Sequence, residues 1–190
     1  ASASDFEERA EEKIKRGEIT AEGLKNAVIE EFVVGAPVNF NFFFSPLTGE
    51  LELLGTDTRR QTNLDGFLRM TAEDQTWAKQ FVPLKMIETG HIAVTVKESL
   101  LGQVLELGER FVAATKKLPK SVDPSGKGII GPFALQGAIV TEEGREDIVI
   151  FDVSMRIPGS PGIAATPYST YLHGYPVSMG ERIGMELRKA

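Results

Sequence analysis

Two runs of strand-forming residues flank one short polar turn, and this arrangement constrains the fold more than any other feature of the chain. Gly131-Pro132-Phe133-Ala134-Leu135-Gln136 comes first and Phe151-Asp152-Val153-Ser154-Met155-Arg156 follows, with Thr141 to Asp147 between them. A polar, Gly-centred segment between such runs predicts a hairpin. Gln136 and Asp152 each lie eight residues from Gly144, so a hairpin folded about Gly144 places them opposite each other with their side chains on one face. Val149, Phe151, Val153 and Met155 then form an apolar face, while Asp152, Ser154 and Arg156 line the other. A carboxylate, a hydroxyl and a guanidinium in a row suit a metal–phosphate site. A solvated strand face is the plain alternative for the same residues. Hard cations such as Mg²⁺ take oxygen ligands, which Asp152 and the Gln136 amide can offer, and Arg156 can neutralise a phosphoryl group.

The rest of the chain predicts an α+β fold, mainly antiparallel strands with a few helices packed on them. Pro37 to Phe44 alternates Val38, Phe40, Phe42 and Phe44 with Asn39 and Asn41, the pattern of a half-buried strand. A Thr-Gly turn in Pro46 to Glu50 leads to a returning strand that begins at Leu51 to Leu54. Val28 to Val34 reads as a buried strand carrying Glu30 and Glu31, one carboxylate on each face. Either this is an edge strand with one solvated face, or its backbone reads an adenine edge while a Glu reaches sugar or amine. Gly55 to Gly90 has few apolar residues at its start and reads as a long irregular loop, uncommon unless functional. Val96 to Leu118 is the strongest helix, with Leu100, Val104, Leu107, Phe111 and Val112 on one stripe. Ser4 with Glu7, and Ser178 with Glu181, are capping-box patterns that open a first and a last helix. Gly17 closes the first, and Thr20 opens a short second one reaching Asn26. Pro119 to Gly128 and Ile157 to Tyr175 read as irregular segments.

Several functional classes are disfavoured. The net charge is -6 with no Lys/Arg block, against a nucleic-acid backbone partner. The chain contains no cysteine, which removes disulfides, thiolate zinc sites and cysteine nucleophiles and is compatible with a cytoplasmic setting. No stretch approaches the roughly 20 apolar residues of a membrane span. Gly126-Lys127-Gly128-Ile129-Ile130-Gly131 matches G-x-G-x-x-G, but a polar loop precedes it and a strand follows, so it reads as a flexible loop and not as a dinucleotide fingerprint. His91 and His173 show no metal-ligand spacing and are expected in surface or loop roles. Ala1-Ser2-Ala3-Ser4 lacks an initiator Met, as in a fragment or a processed or tagged product.

With these residues in view, a family resemblance emerges. Ile29-Glu30-Glu31-Phe32-Val33-Val34-Gly35 resembles the hinge strand of ATP-grasp enzymes, and Phe151 to Arg156 resembles their E-x-N-x-R metal strand in an E-x-S-x-R variant. Phe43 to Leu47, Glu52 to Gly55, Asp57, Arg59, Asn63 to Gly66, Glu98 to Leu101, Gly131 to Phe133, Pro167 to Ser169 and Ser178 to Gly180 occur in order. The series is similar to the archaeal formate-dependent AICAR ligases, also called FAICAR synthetases, over nearly the whole chain. The resemblance implies residues 1–190 as the C-terminal ATP-grasp lobe of an enzyme that converts AICAR, formate and ATP to FAICAR, ADP and phosphate in purine biosynthesis. The N-terminal substrate domain and most of the small ATP lobe are then absent, and the piece alone is expected to be inactive.

Position by position, the resemblance implies that Glu30, Glu31 and the Val33 backbone hold adenine and ribose. Asn63 and Arg59 contact AICAR, Gln136 and Asp152 ligate Mg²⁺ or Mn²⁺, and Arg156 acts catalytically on the phosphates. The implied partners are the small molecules AICAR, formate and ATP, with no nucleic acid or membrane, and a homo-oligomer is expected. Two departures stand out. Asp152 occupies a position where the family commonly has Glu, and Ile157-Pro158-Gly159-Ser160-Pro161-Gly162-Ile163 replaces a segment that commonly leads to Gly-Thr-Asn. That loop is expected to border the transferring phosphate and the acceptor. A ligase with a different acceptor, or a non-catalytic nucleotide-binding or oligomerising paralogue, are the alternatives.

Overall fold

The hairpin predicted about Gly144 forms, but one residue off the counted register: its two-residue turn sets Glu142 against Arg145, and only a bulge further along brings Gln136 opposite Asp152. In the computed structural model, which describes residues 2–160 and 162–190, β4 (Gly131–Glu142) pairs antiparallel with β5 (Arg145–Ser154), and Gln136 faces Asp152. Glu143 (φ 50°) and Gly144 (φ 79°) form the two-residue turn. Positive φ at both central positions is the type I′ geometry whose twist matches the flanking strands. Ala1 and Pro161, the latter within the Pro158–Gly162 loop, lie outside the described residues.

One irregularity alters the expected faces. Gly137 pairs with Ile150, so Phe151 is an extra residue at a β-bulge next to the Gln136–Asp152 pair. Only Gly fits there, because a Cβ on Gly137 would clash with the Val149 carbonyl oxygen. A bulge inverts the alternation on the strand that carries it. Ile148 and Ile150 therefore pack toward the core, while Phe151, Val153 and Met155 are exposed. The single apolar face expected from Val149 to Met155 does not form.

The chain divides into two compact units, residues 1–32 and 33–190. The first holds α1 (Ala3–Lys15) and α2 (Ala21–Lys25). Ser2, not Ser4, caps α1 by accepting a bond from the Asp5 amide, Gly17 (φ 71°) follows the helix, and Thr20 caps α2 as expected. The connecting residues do not form the expected buried strand. Residues 27–34 pair with no strand, and Val28, Ile29, Phe32 and Val34 are 77% to 82% exposed. Their β-branched and aromatic content signals a strand that residues 27–34 do not form.

In the second unit, β1 (Ala36–Phe44), β2 (Leu51–Gln61), β3 (Glu88–Ala93), β4 and β5 form one antiparallel sheet in the order β3-β2-β1-β4-β5. The expected loop from Gly55 to Gly90 is instead the rest of β2, α3 (Thr62–Phe67), α4 (Ala72–Ala78) and the start of β3. The predicted long helix is a 3₁₀ turn (Glu98–Leu100) running into α5 (Leu101–Thr115). Its stripe packs on Val38, Phe40, Phe42, Leu53, Phe133 and Leu135 on one sheet face. The contact is close: a Cβ on Gly108 would lie 2.7 Å from Leu51 and 2.9 Å from the Phe42 ring. Within Ile157 to Tyr175 lie α6 (Gly162–Ala165) and α7 (Tyr168–His173), and the Ser178–Glu181 capping box opens α8 (Met179–Leu187) as expected.

The other sheet face is divided. At one end Phe43 and Leu54 pack with Ile163 and Met179. Beside them Arg182 of α8 donates twice to Glu52, at 2.7 Å each, and once to Glu186 at 2.9 Å, and the Ser45 hydroxyl donates to Glu186 at 2.6 Å. This buried ion cluster ties α8 to the β1–β2 hairpin. The opposite end of the same face stays open. Among the described residues no helix is long and apolar enough to cross a membrane.

Candidate functional site

The open end of the sheet is organised by Asp57, which is fully buried. A lone buried carboxylate is expensive unless donors surround it. Here Asn39 Nδ2 donates at 2.9 Å and Asn41 Nδ2 at 2.7 Å, and His91 Nδ1 lies 2.5 Å away. The Ser160 hydroxyl bonds the same carboxylate. Burial pushes the Asp57 carboxyl up, but the bonds from Ser160, Asn41, Asn39 and His91 outweigh it and hold the group below its ordinary value. Asn39 and Asn41 are therefore buried rather than solvated, because β2 and β4 cover both flanks of β1 and Asp57 takes up their amides.

The network continues across the sheet. His91 Nε2 lies 2.8 Å from Glu88, and Arg59 Nε lies 3.1 Å from the same Glu88 carboxylate. Arg59 also donates to the Gln136 amide oxygen, and the Gln136 amide nitrogen donates to the Ser154 hydroxyl at 2.9 Å. Far from being isolated, His91 thus sits between two carboxylates. Over these groups lies a cavity of about 260 Å³, walled by the network and by Arg156, Pro158, Gly159 and Ser160.

Three of the expected site residues, Arg59, Gln136 and Arg156, meet at this cavity. Asp152 stands opposite Gln136 in the β4–β5 ladder, but its side chain is exposed and outside the cavity wall. Asn63 lies elsewhere, clamping the segment before β3: its Nδ2 donates to the Pro83 carbonyl at 2.6 Å and its Oδ1 accepts from the Lys85 amide at 2.6 Å. Glu30 and Glu31 are exposed in the connecting segment, and Val33 is half-buried ahead of β1. Asp57, Asn39, Asn41, Glu88 and His91 are cavity residues that sequence reasoning passed over. The alternation of Asn39 with Asn41 was their one visible signal.

Two guanidiniums facing one cavity can hold an anionic oxygen, and none of the described residues that wall it is arranged as an activated nucleophile. Chemistry here rests on positioning and charge. For a divalent cation the donor set is sparse: no cluster of three or more His, Cys, Asp or Glu occurs among the described residues. Gln136 and Asp152 offer two oxygens on directly paired residues. That fits Mg²⁺, which commonly takes one or two protein oxygens and completes its shell with phosphates and water. In this arrangement Arg59 occupies the Gln136 oxygen, so an ion there requires the guanidinium to turn away.

Comparison with known proteins gives consistent results. The family described as "Domain of unknown function (DUF1297)" matches residues 5–190. A 5-formaminoimidazole-4-carboxamide-1-(beta)-D-ribofuranosyl 5'-monophosphate synthetase from Methanocaldococcus jannaschii is 41% identical over 100% of this chain and 50% of its own length. A synthetase of the same name from Methanopyrus kandleri is 39% identical over 98% of the chain and 49% of its own length. The chain thus spans about half the length of the curated relatives it matches. The crystal structure of an IMP biosynthesis protein PurP from Thermococcus kodakaraensis superposes with a TM-score of 0.60 at 32% identity, covering 84% of this chain and 47% of that one. This likeness agrees with the α+β, ATP-grasp C-terminal lobe expected from the sequence.

Proposed function

Because the chain belongs to the DUF1297 family over residues 5–190, and its relatives include synthetases of the FAICAR nucleotide, we propose that it is the C-terminal ATP-grasp portion of a formate-dependent AICAR ligase. The observation that carries the reading is the cavity where Arg59, Gln136, Ser154 and Arg156 converge over the open sheet face. In this reading a formate oxygen attacks the γ-phosphorus of ATP and ADP leaves, giving formyl phosphate. The AICAR amine nitrogen then attacks the formyl carbon, phosphate leaves and the nitrogen loses a proton, giving FAICAR. Neither step needs a protein nucleophile, which suits a site of guanidiniums and amides.

Each expected residue has a role in the proposal. Arg156 holds the transferring phosphoryl group, and Arg59 engages AICAR once released from Gln136. Asn63 contacts AICAR in the family reading, and in this chain it also anchors the segment before β3. Glu30, Glu31 and the Val33 backbone grip adenine and ribose. Their exposure leaves backbone and carboxylates open to a ligand. Gln136 and Asp152 ligate Mg²⁺, or Mn²⁺ in its place, and a bound ion supplies neutralising charge to the phosphates. The whole enzyme works as a homo-oligomer in the cytoplasm on small molecules, without nucleic acid or membrane.

A second reading keeps the chemistry and changes the acceptor. It is favoured by Pro158, Gly159 and Ser160, which belong to the departing loop and wall the cavity. The test is ADP release by the full-length protein with Mg-ATP, formate and AICAR, omitting each in turn. ADP that requires both formate and AICAR, with FAICAR accumulating, supports the ligase. ADP that ignores AICAR supports another acceptor, and no ADP points to a non-catalytic paralogue.

A further inference from the structure

The segment after β5 is pinned at both ends. Ser154, at the end of β5, receives the Gln136 amide at 2.9 Å. Ser160 bonds Asp57, and the two line the same cavity. Arg156, Pro158 and Gly159 lie between these ties and wall the cavity together with Ser160.

Asp57 is built to serve as the second tie. Its other three partners, Asn39, Asn41 and His91, all belong to β1 and β3 of the sheet. Oδ1 receives Asn41, and Oδ2 receives Asn39 and faces His91, so the carboxylate cannot rotate without breaking a bond in the sheet. A hydrogen bond to an ionised group held this way is stronger than one between neutral partners. Ser160 is the only member of the set outside the sheet.

We propose that Asp57 is a positioning residue that fastens the Pro158–Ser160 segment to the sheet and so fixes both the acceptor-side wall of the cavity and the reach of Arg156. The departing loop is then a defined surface rather than a loose insertion. Acceptor selectivity depends on the tether, because a loose wall discriminates less between acceptors of different shape. This role deepens the ligase reading and rests on it for the identity of the acceptor.

The test uses the full-length protein and two variants of the tether, Ser160→Ala and Ser160→Thr, which leave the buried Asp57 partners on the sheet untouched. The first readout is amide hydrogen exchange. Losing one hydrogen bond to a carboxylate should speed exchange at Ile157, Gly159 and Ser160 by about tenfold or more. Amides of β4 and α5 should not change, and S160T should return the loop to near the wild-type rate. The second readout is kinetic: S160A should raise the AICAR KM by about tenfold while the ATP KM moves far less. Unchanged exchange in S160A overturns the tether. Faster exchange with an unchanged AICAR KM overturns its part in acceptor binding. If the wild-type protein consumes no AICAR, the ligase reading fails, and the exchange result still decides whether Asp57 fastens the loop.

Discussion

Replacing Arg182 with Met tests the buried ion cluster at the end of the sheet away from the cavity. The Arg182 side chain is 4% exposed, its guanidinium grips Glu52 through two 2.7 Å bonds and Glu186 through one at 2.9 Å, and it lies 4.0 Å over the Phe43 ring. Met retains the packing volume but leaves two carboxylates facing each other with the cation gone. Breaking a buried pair by removing one partner costs about 3–5 kcal/mol. Ser45 still donates to Glu186 at 2.6 Å and His173 still lies 3.3 Å from Glu52, so the lower end, about 3 kcal/mol, is expected. With a urea m-value of about 2 kcal/mol/M, that lowers the unfolding midpoint by about 1.5 M. R182K should fall between, since an ammonium keeps the charge but cannot make the forked contact with Glu52. The assay is urea unfolding by circular dichroism at neutral pH and again in acid, where protonating Glu186 should narrow the gap between wild type and R182M. A neutral-pH midpoint within about 0.3 M of wild type, less than about 1 kcal/mol, would refute the reasoning.

The other predictions concern the site, the helix contact and acid. Asp152→Ala in the full-length protein should abolish Mg-dependent ATP turnover while leaving the urea midpoint within about 0.3 M, because this exposed side chain contributes little to folding; retained turnover sinks its metal role. Gly108→Ala should destabilise by about 1–3 kcal/mol, measured by thermal melting, since the added Cβ meets Leu51 and Phe42 below van der Waals distance. Asp57 and Glu186 both titrate below their ordinary values of 3.8 and 4.5; burial opposes the shift in each, and hydrogen bonds from Ser160, Asn41, Asn39 and His91, or from Ser45 and Arg182, exceed it. Folded carboxyls that hold protons less tightly than unfolded ones stabilise fully above the unfolded values, and that contribution is lost as pH falls through the folded ones. Stability measured from pH 7 downward should therefore hold to about pH 5 and then decline, and a Glu186→Gln variant should show a shallower decline.

What was legible in the sequence followed from local rules. Gly144 and its polar neighbours set the hairpin and its turn, but the Gln136–Asp152 pair also needs the bulge, since the two-residue turn alone sets Gln136 against Phe151. The Ser178–Glu181 box and the Leu100 to Val112 stripe likewise report local geometry and packing. What escaped depended on distant partners. The bulge at Phe151 arises where Gly137 lets two backbones approach, which no alternation of β5 can reveal. Asp57 was hidden for a related reason. Extending the Phe44–Leu51 pairing outward sets Asn39 against Thr56, but Leu54 is an extra residue and shifts the pair to Asp57. Val28 to Val34 has the composition of a strand, and composition cannot show whether a neighbouring strand exists. Ser2 caps α1 ahead of Ser4 because two serines compete for one helix end.

In the proposed enzyme Gln136 and Asp152 act together as the cation's protein ligands beside the Arg156 cavity. The most direct measurement is the anomalous difference map of full-length protein crystallised with Mn²⁺ and a non-hydrolysable ATP analogue. The expected result is a peak within about 2.5 Å of both the Gln136 amide oxygen and an Asp152 carboxylate oxygen, with Arg59 turned away from Gln136. A peak held instead by Asp57, His91 and Glu88, with Arg59 still on Gln136, would contradict it.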